Sequence, residues 1–488
     1  MTGFFEHKPR PAGQSQDQKK LNGSPPIGPK IKTNAIQADE LKGSLGATSK
    51  INDIAVAFVA GFLLIAPIPI GANHPVAWLG FAVTISIFTT AYALAMHQVA
   101  PEQSCRSCRY PVLFTLGLVL ILFCAAQMLP ARFGGLNHLP DQVQPQRLTL
   151  AASASALGLA RLVSYALLCV LVLEISGDSR RIARLLSWIF YGVTLHAAWA
   201  LISLSVLSDT LLFTEKTAYI GFATGTFVNR NSFATYLSMG LMIGLGRILF
   251  HIYQPSTRLE QKGTLQQRLS IGFFVQVALS GIIMVTLLAT GSRLGVISAI
   301  LGGLFLLATV LTKTRRFSGR SLSLVLFTAA CTISLAALAA APMLADRVVF
   351  LEQSATVRLE LFRQSWNMIL QRPLLGYGLD SFAPAFELFH QPSLATDLVW
   401  IRPHNTYLTL WAELGLVFGS IPILIIGICF VRLLFQIQRS SIFCLPEAVA
   451  AASIVVCAAH SLGDFSLEMA ANAYLLIALT GFGISEKT

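Results

Sequence analysis

The amino-acid sequence predicts an all-α integral membrane protein of about 12 transmembrane helices, with one large loop ahead of the tenth. Three observations carry this prediction. The 488 residues are 54% hydrophobic and only 12% charged, where a soluble domain carries roughly 25% charged residues, and the mean hydropathy is +0.66. The apolar runs are continuous over the length a helix needs to cross a bilayer, which excludes the short alternating segments of a β-barrel. The basic residues gather in short loops on one side of those runs, the distribution that orients membrane proteins.

Residues 1–50 are polar, rich in Pro, Gly, Ser and Lys, and hold eight Lys or Arg. They have no apolar stretch of the kind a cleavable signal requires and read as a disordered cytoplasmic tail. Residues 51–488 form the polytopic membrane domain. Its expected spans are 51–70, 76–97, 110–130, 156–175, 184–206, 232–251, 271–290, 294–312, 322–342, 406–435, 447–463 and 468–484. With both termini in the cytoplasm, 24 of the 35 Lys and Arg fall on the cytoplasmic side and 11 on the other. This places the net charge of +12 in membrane loops and excludes nucleic acid as the partner.

Five of the eight cysteines, Cys124, Cys169, Cys331, Cys429 and Cys457, lie inside apolar runs. Cys105 and Cys108 form a lone CxxC without the second ligand pair a zinc site uses. They read as reduced surface thiols, and no metal or other cofactor is expected.

The outer connections 131–155, 207–231 and 343–405 are long, and the last is the largest. Connections of this length are usually functional or disordered. Within it, Leu359, Phe362, Trp366 and Ile369 recur at helical spacing, with Glu360, Gln364 and Asn367 opposite, and Pro373 ends the run. A helix packed on the membrane domain and a helix lying at the membrane surface both fit.

Basic residues on the outer side run against the orienting bias, which singles out Arg230, Arg293, Arg347, Arg358, Arg363, Arg372 and Arg402. A guanidinium offers paired donors to phosphate oxygens and stays charged, so such a set suits a phosphate-bearing lipid; arginines at helix ends also hold ordinary anionic headgroups. His404 sits where the long loop re-enters the membrane, in Arg402-Pro403-His404-Asn405-Thr406-Tyr407. An imidazole can take a proton from a hydroxyl, or it can simply cap and pack, and chemistry alone favours the second. Leu375-Gly376-Tyr377-Gly378-Leu379 must turn, yet it is no nucleotide loop, since no strand precedes it.

Four segments together resemble the O-antigen ligase and O-antigen polymerase superfamily of bacterial membrane glycosyltransferases. They are Thr226-Phe227-Val228-Asn229-Arg230-Asn231-Ser232-Phe233-Ala234; Thr290-Gly291-Ser292-Arg293-Leu294-Gly295; the stretch from Arg358 to Phe382; and His404-Asn405-Thr406-Tyr407-Leu408 with Glu413-Leu414-Gly415. The resemblance spans roughly residues 215–420. It implies metal-independent transfer of a glycan from a polyprenyl-pyrophosphate donor to an acceptor sugar hydroxyl, at the periplasmic face of the inner membrane, with 343–405 as a periplasmic loop. It assigns the base to His404 and the donor pyrophosphate to Arg230, Arg293 and Arg363, with Arg358 and Arg402 beside them. Asn229, Asn231, Gly376, Gly378 and Asn405 would support the site. Implied partners are the lipid-linked glycan, an acceptor glycan or lipid A core, and membrane lipids. Ligase and polymerase share these motifs, so both stay open. Some relatives that modify proteins carry further domains beyond the membrane region; this chain ends at Thr488, which points away from a protein acceptor. The rival readings are a secondary transporter or a flippase, which should carry ionisable groups near the midplane, and an export scaffold with no use for His404.

Overall fold

The computed structural model describes residues 30–102, 104–130, 147–212, 215–253, 271–313, 348–395, 397 and 399–486. The helices are α1 (Lys30–Ile65), α2 (Pro75–Val99), α3 (Pro111–Ala126), α4 (Ala152–Ile175), α5 (Ser179–Ser205), α6 (Arg230–Tyr253), α7 (Ile271–Ala289) and α8 (Arg293–Leu311), followed by α9 (Val348–Gln371), α10 (Phe382–Glu387), α11 (Thr406–Arg439), α12 (Leu445–His460) and α13 (Ala470–Ile484). Among the described residues, eight helices are long and apolar enough to cross a membrane, and α3, α12 and α13 are shorter apolar helices. Eleven of the twelve expected spans coincide with these helices; the ninth, 322–342, lies outside the described residues, as does the tail up to residue 29.

Side-chain caps set several starts. Asp178 accepts from the Arg180 amide at α5, Ser292 from Gly295 at α8, and Asn405 from Tyr407 and Leu408 at α11. Asn229 accepts from the amides of Asn231 and Ser232 at α6. Each satisfies an amide that the first helical turn leaves unpaired. Helix α6 is the centre of the bundle, with 72% of its apolar window buried, and packs on α5, α7, α8, α12 and α13. Close approach of α6 and α8 needs a small residue: a Cβ on Gly295 would come within 2.6 Å of the Ala234 methyl.

One end of the bundle is basic. There Arg181 and Arg184 pair with Asp53, Arg432 and Arg109 pair with Glu486, and Lys313 donates to the carbonyls of Gln438 and Ser440. The opposite end carries α9, α10 and the loop before α6. Helix α9 lies against α11, around a second apolar core that includes Leu361, Met368, Tyr377, Phe386 and Leu408.

Helix α9 differs from its expected register. Leu361, Gln364, Ser365, Met368 and Ile369 are buried, while Leu359 is 67% and Trp366 39% exposed. The helix has two apolar stripes. The buried one faces α11; Leu359, Trp366 and Leu370 lie outside it and are exposed, with Trp366 edge-on to Trp411. Gln364 can be buried because its amide donates to Glu360 and Ser393 and accepts from the Gln391 amide.

The segment after α9 is strapped onto a broken helix. Helix α11 is interrupted at Gly415, with φ 73° and ψ 169°. The freed backbone groups are taken up: Tyr377 and Gly378 donate to the carbonyls of Ala412 and Glu413, and Leu416 donates to Pro373. Backbone at membrane depth is tolerated only when satisfied in this way. Gly376 adopts φ +64°, and a Cβ there would collide with the Glu413 carbonyl. The two glycines of 375–379 therefore serve close backbone approach.

Candidate functional site

His404 stands in the loop just ahead of α11, in a left-handed conformation (φ 54°) that a residue with a Cβ rarely adopts. The Asn405 cap fixes the chain on one side of it, and Asn405 Nδ2 also donates to the Leu462 carbonyl at 2.9 Å. The His404 ring packs edge-on against Phe465, and Nδ1 faces Oδ1 of Asp464 at 3.8 Å. The side chain is 31% exposed while Asp464 is fully buried. One nitrogen thus turns to a carboxylate while the ring keeps an open side.

Asp464 lies between α12 and α13, in the turn before the short 3-10 helix Ser466–Glu468. Besides His404 it meets Asn231 Nδ2 at 3.4 Å, the Ser466 hydroxyl, and His460 Nδ1 at 3.8 Å. Burial pushes its carboxyl up, but the facing His404, the charge of His460 and the Ser466 hydroxyl together outweigh burial. The carboxyl is held below its ordinary value, so Asp464 stays ionised at neutral pH.

The arginines at the starts of α6 and α8 flank this pair. Arg230 directly precedes Asn231, and its guanidinium covers the Phe222 ring at 4.2 Å and the Tyr219 ring at 5.6 Å. Arg230 Nη1 also lies 3.1 Å from where a Cβ on Gly291 would stand. That glycine has φ 61° and turns the chain into exposed Arg293. Next to Arg293, Leu294 packs on Gly463, at 2.9 Å from a Cβ there, which brings the α8 start against the turn holding Asp464. Two helix starts, each headed by an arginine, thus meet the turn that holds Asp464. Helix N-termini and guanidinium groups both favour an anion.

Tyr219 joins the cluster. Burial and Asp464 push its hydroxyl pKa up, while Arg230 and Arg358 pull it down, with a net rise. The charge of Arg358, from α9, therefore reaches the same place. The loop carrying Tyr219 is stapled by a buried ion pair, Lys216 Nζ to Asp209 Oδ1 at 2.6 Å, and Lys216 also donates to the Phe222 carbonyl.

The other expected arginines are engaged by protein groups, Arg402 beside His404 and the rest elsewhere. Arg363 is exposed on α9 and donates twice to Glu360, at 2.7 and 2.8 Å, and to Gln391; Arg363 holds the Glu360 carboxyl far below the usual range. Arg402 pairs with Glu468 and lies 5.8 Å from the Phe465 ring centre. Burial pulls the Arg402 guanidinium down. Arg372 donates to the Leu148 carbonyl. Arg347 lies outside the described residues.

Sequence reasoning missed two acidic partners and one arginine. Neither Asp464 nor Glu468 stands out in the sequence, since both fall in the short connection before the last helix. Arg161 had been counted with the outer basic residues, but it sits inside α4, buried, and donates to both oxygens of Asp380 at 2.8 and 3.0 Å. The signal was present in an arginine inside an apolar run. Asp380 and Glu413, the obvious alternative bases, are committed: the Glu413 carboxylate accepts from the amides of Asp380 and Phe382. Among the described residues, no group of three or more His, Cys, Asp or Glu is placed to hold a metal ion.

A polytopic helical membrane protein with a histidine–aspartate pair between two arginine-headed helix starts is the class these features define. A family model described as O-antigen ligase matches residues 278–423, supporting the O-antigen ligase and polymerase superfamily, and with it glycan transfer of that general type. The match covers Arg293, Arg358, Arg363, Arg402 and His404; Arg230, Asn231 and Asp464 lie outside it and reach the site through the contacts above. No curated protein matches the sequence.

Proposed function

We propose that the protein transfers a glycan from a polyprenyl-pyrophosphate donor to an acceptor sugar hydroxyl at the periplasmic face of the bacterial inner membrane, as an O-antigen ligase or a surface-polysaccharide polymerase. The observation that supports this reading is the His404–Asp464 pair, with Asn231 and Leu294, the neighbours of Arg230 and Arg293 at the starts of α6 and α8, packed on the turn that holds Asp464. The pyrophosphate sits against the two helix starts, with Arg358 and the Tyr219 hydroxyl nearby. The acceptor oxygen attacks the anomeric carbon, the bond from that carbon to the pyrophosphate oxygen breaks, and the hydroxyl proton passes to the open nitrogen of His404. Asp464 stabilises the imidazolium that forms. The products are the extended acceptor and polyprenyl pyrophosphate, whose charge the arginines balance without a metal. The basic opposite end is read as cytoplasmic, and so are both termini.

A transport reading would draw on the buried Arg161–Asp380 pair. That pair joins α4 to the strap following α9, with Arg161 Nη2 donating to both Asp380 oxygens and the guanidinium covering the Trp78 ring, so it reads as a structural joint. The test is the deletion strain. Loss of a ligase leaves lipid A core without repeats while lipid-linked polymer accumulates. Loss of a polymerase leaves core with a single repeat, or no secreted polymer. Unchanged surface glycans of every class would overturn the reading. A periplasmic reporter fused near Gln391 and a cytoplasmic reporter fused after Lys313 should both be active.

A further inference from the structure

Helix α2 and the loop before α6 enclose a groove of about 510 Å3 at the end of the bundle that carries the site. Ala77, Gly80, Phe81 and Thr84 supply one wall, and Leu211 and Thr226 line it from the loop. The four α2 residues follow the spacing of a single helix face. Nearby Val83 and Ile87 are 48% and 67% exposed, which marks this part of α2 as lipid-facing. From Pro75 to Thr84 the helix descends about 14 Å, close to half of the ~30 Å hydrocarbon thickness. The groove therefore runs the depth of one leaflet.

It carries one buried polar group, Thr226, close in sequence to Arg230. Thr226 is 5% exposed, and its Oγ1 has no hydrogen-bond partner. A buried hydroxyl left in this state is costly unless a ligand supplies the partner. Thr226 precedes Arg230 by four residues, a span of at most ~14 Å of chain. Between them Phe227 is buried against Gly71 of the α1–α2 turn, which seats that turn beside the α6 start. An anion held at Arg230 thus has an apolar channel leading from it directly into the lipid.

We infer that this groove holds the isoprenoid chain of the lipid-linked donor, with the Thr226 hydroxyl donating to a phosphate oxygen where chain and pyrophosphate meet. The inference rests on the function proposed above and adds the path by which the donor enters, sideways from the outer leaflet along α2. Gly80 keeps the channel open: a Cβ built there meets nothing within 4 Å. A larger side chain at Gly80 fills the groove without striking protein, and it removes a residue poorly suited to a helix interior.

The test combines Gly80→Leu with two readouts on the full-length protein in nanodiscs. Transfer is measured from the same glycan on an undecaprenyl pyrophosphate and on a two-isoprene pyrophosphate. The wild type should favour the long donor. Gly80→Leu should lower kcat/KM for the long donor by about tenfold or more, the worth of roughly two methylenes kept in water, while leaving the short donor within about twofold. Separately, undecaprenyl pyrophosphate carrying a photoreactive group on its chain should cross-link to residues 77–84, and Gly80→Leu should abolish the adduct. Equal loss with both donors, an unchanged long-donor rate, or cross-linking there only by a phospholipid acyl chain would overturn the inference. The cross-link does not depend on turnover, so a protein that binds the chain but transfers nothing refutes the transfer reading and spares the groove.

Discussion

Nδ1 of His404 faces Oδ1 of the fully buried Asp464 across 3.8 Å, although the two residues are 60 apart in sequence and sit on different helical hairpins. The separation is longer than a hydrogen bond, and catalytic contacts commonly tighten only when substrate is bound. A contact tightened by substrate would hold the proton on Nδ1 and leave the other imidazole nitrogen for the acceptor.

Asp464→Asn tests that role. The Asp464 carboxyl is held below its ordinary value of ~3.9, so the stability it contributes is complete above that value and is lost as pH falls through the lowered pKa. The aspartate protein should therefore lose this contribution only in strongly acidic solution. At neutral pH, Asp464→Asn should cut kcat by about 10²-fold or more with little change in donor KM, since the amide cannot balance an imidazolium. Kinetics of the purified variant check this; an unaltered kcat would make Asp464 a structural residue only.

Arg230→Ala and Arg293→Ala should each abolish transfer while the protein still inserts and folds. Lysine replacements should restore little, because a point charge does not reproduce the paired donors of a guanidinium. Arg363→Ala should be much milder, since Arg363 is already bound to Glu360 and Gln391. Glycan transfer in membranes, alongside immunoblots for insertion, distinguishes the three.

The joint between α4 and the strap predicts a stability effect of a different kind. Arg161→Met strands the Asp380 carboxylate in a site where both side chains are 8% exposed. Breaking such a pair from one side costs roughly 3–5 kcal/mol. Thermal unfolding in detergent should show a large drop for Arg161→Met, and adding Asp380→Asn should recover much of it. Independent, additive losses would mean the pair is not coupled.

The fold was legible because a lipid solvent permits so few solutions: long apolar runs must be helices, and the basic loops orient them. The helix starts at Asn229, Ser292 and Asn405 could be read from residue type, since Asn and Ser are capping residues. Three features were hidden. The buried face of α9 was misjudged because two apolar stripes share one helix, and periodicity does not say which of them meets protein. Asp464 was missed as a site residue because its partner comes from another hairpin, and spacing along a chain carries no information about such a meeting. Arg161 was missed for the same reason: Asp380, which makes it tolerable inside α4, is 219 residues away.

The most direct test of the account is the pH dependence of transfer by purified wild-type protein and by His404→Ala, with a defined polyprenyl-pyrophosphate donor and acceptor. A transfer that depends on an imidazole accepting the hydroxyl proton should slow toward acid in the wild type. His404→Ala should be slower by about 10²–10⁴-fold, the usual worth of a positioned base, with the acidic limb gone and donor binding retained through Arg230 and Arg293. His390→Ala, whose ring stacks on Phe386, should behave as wild type, and EDTA should change neither rate. A His404→Ala protein of normal rate with the acidic limb intact would contradict the account.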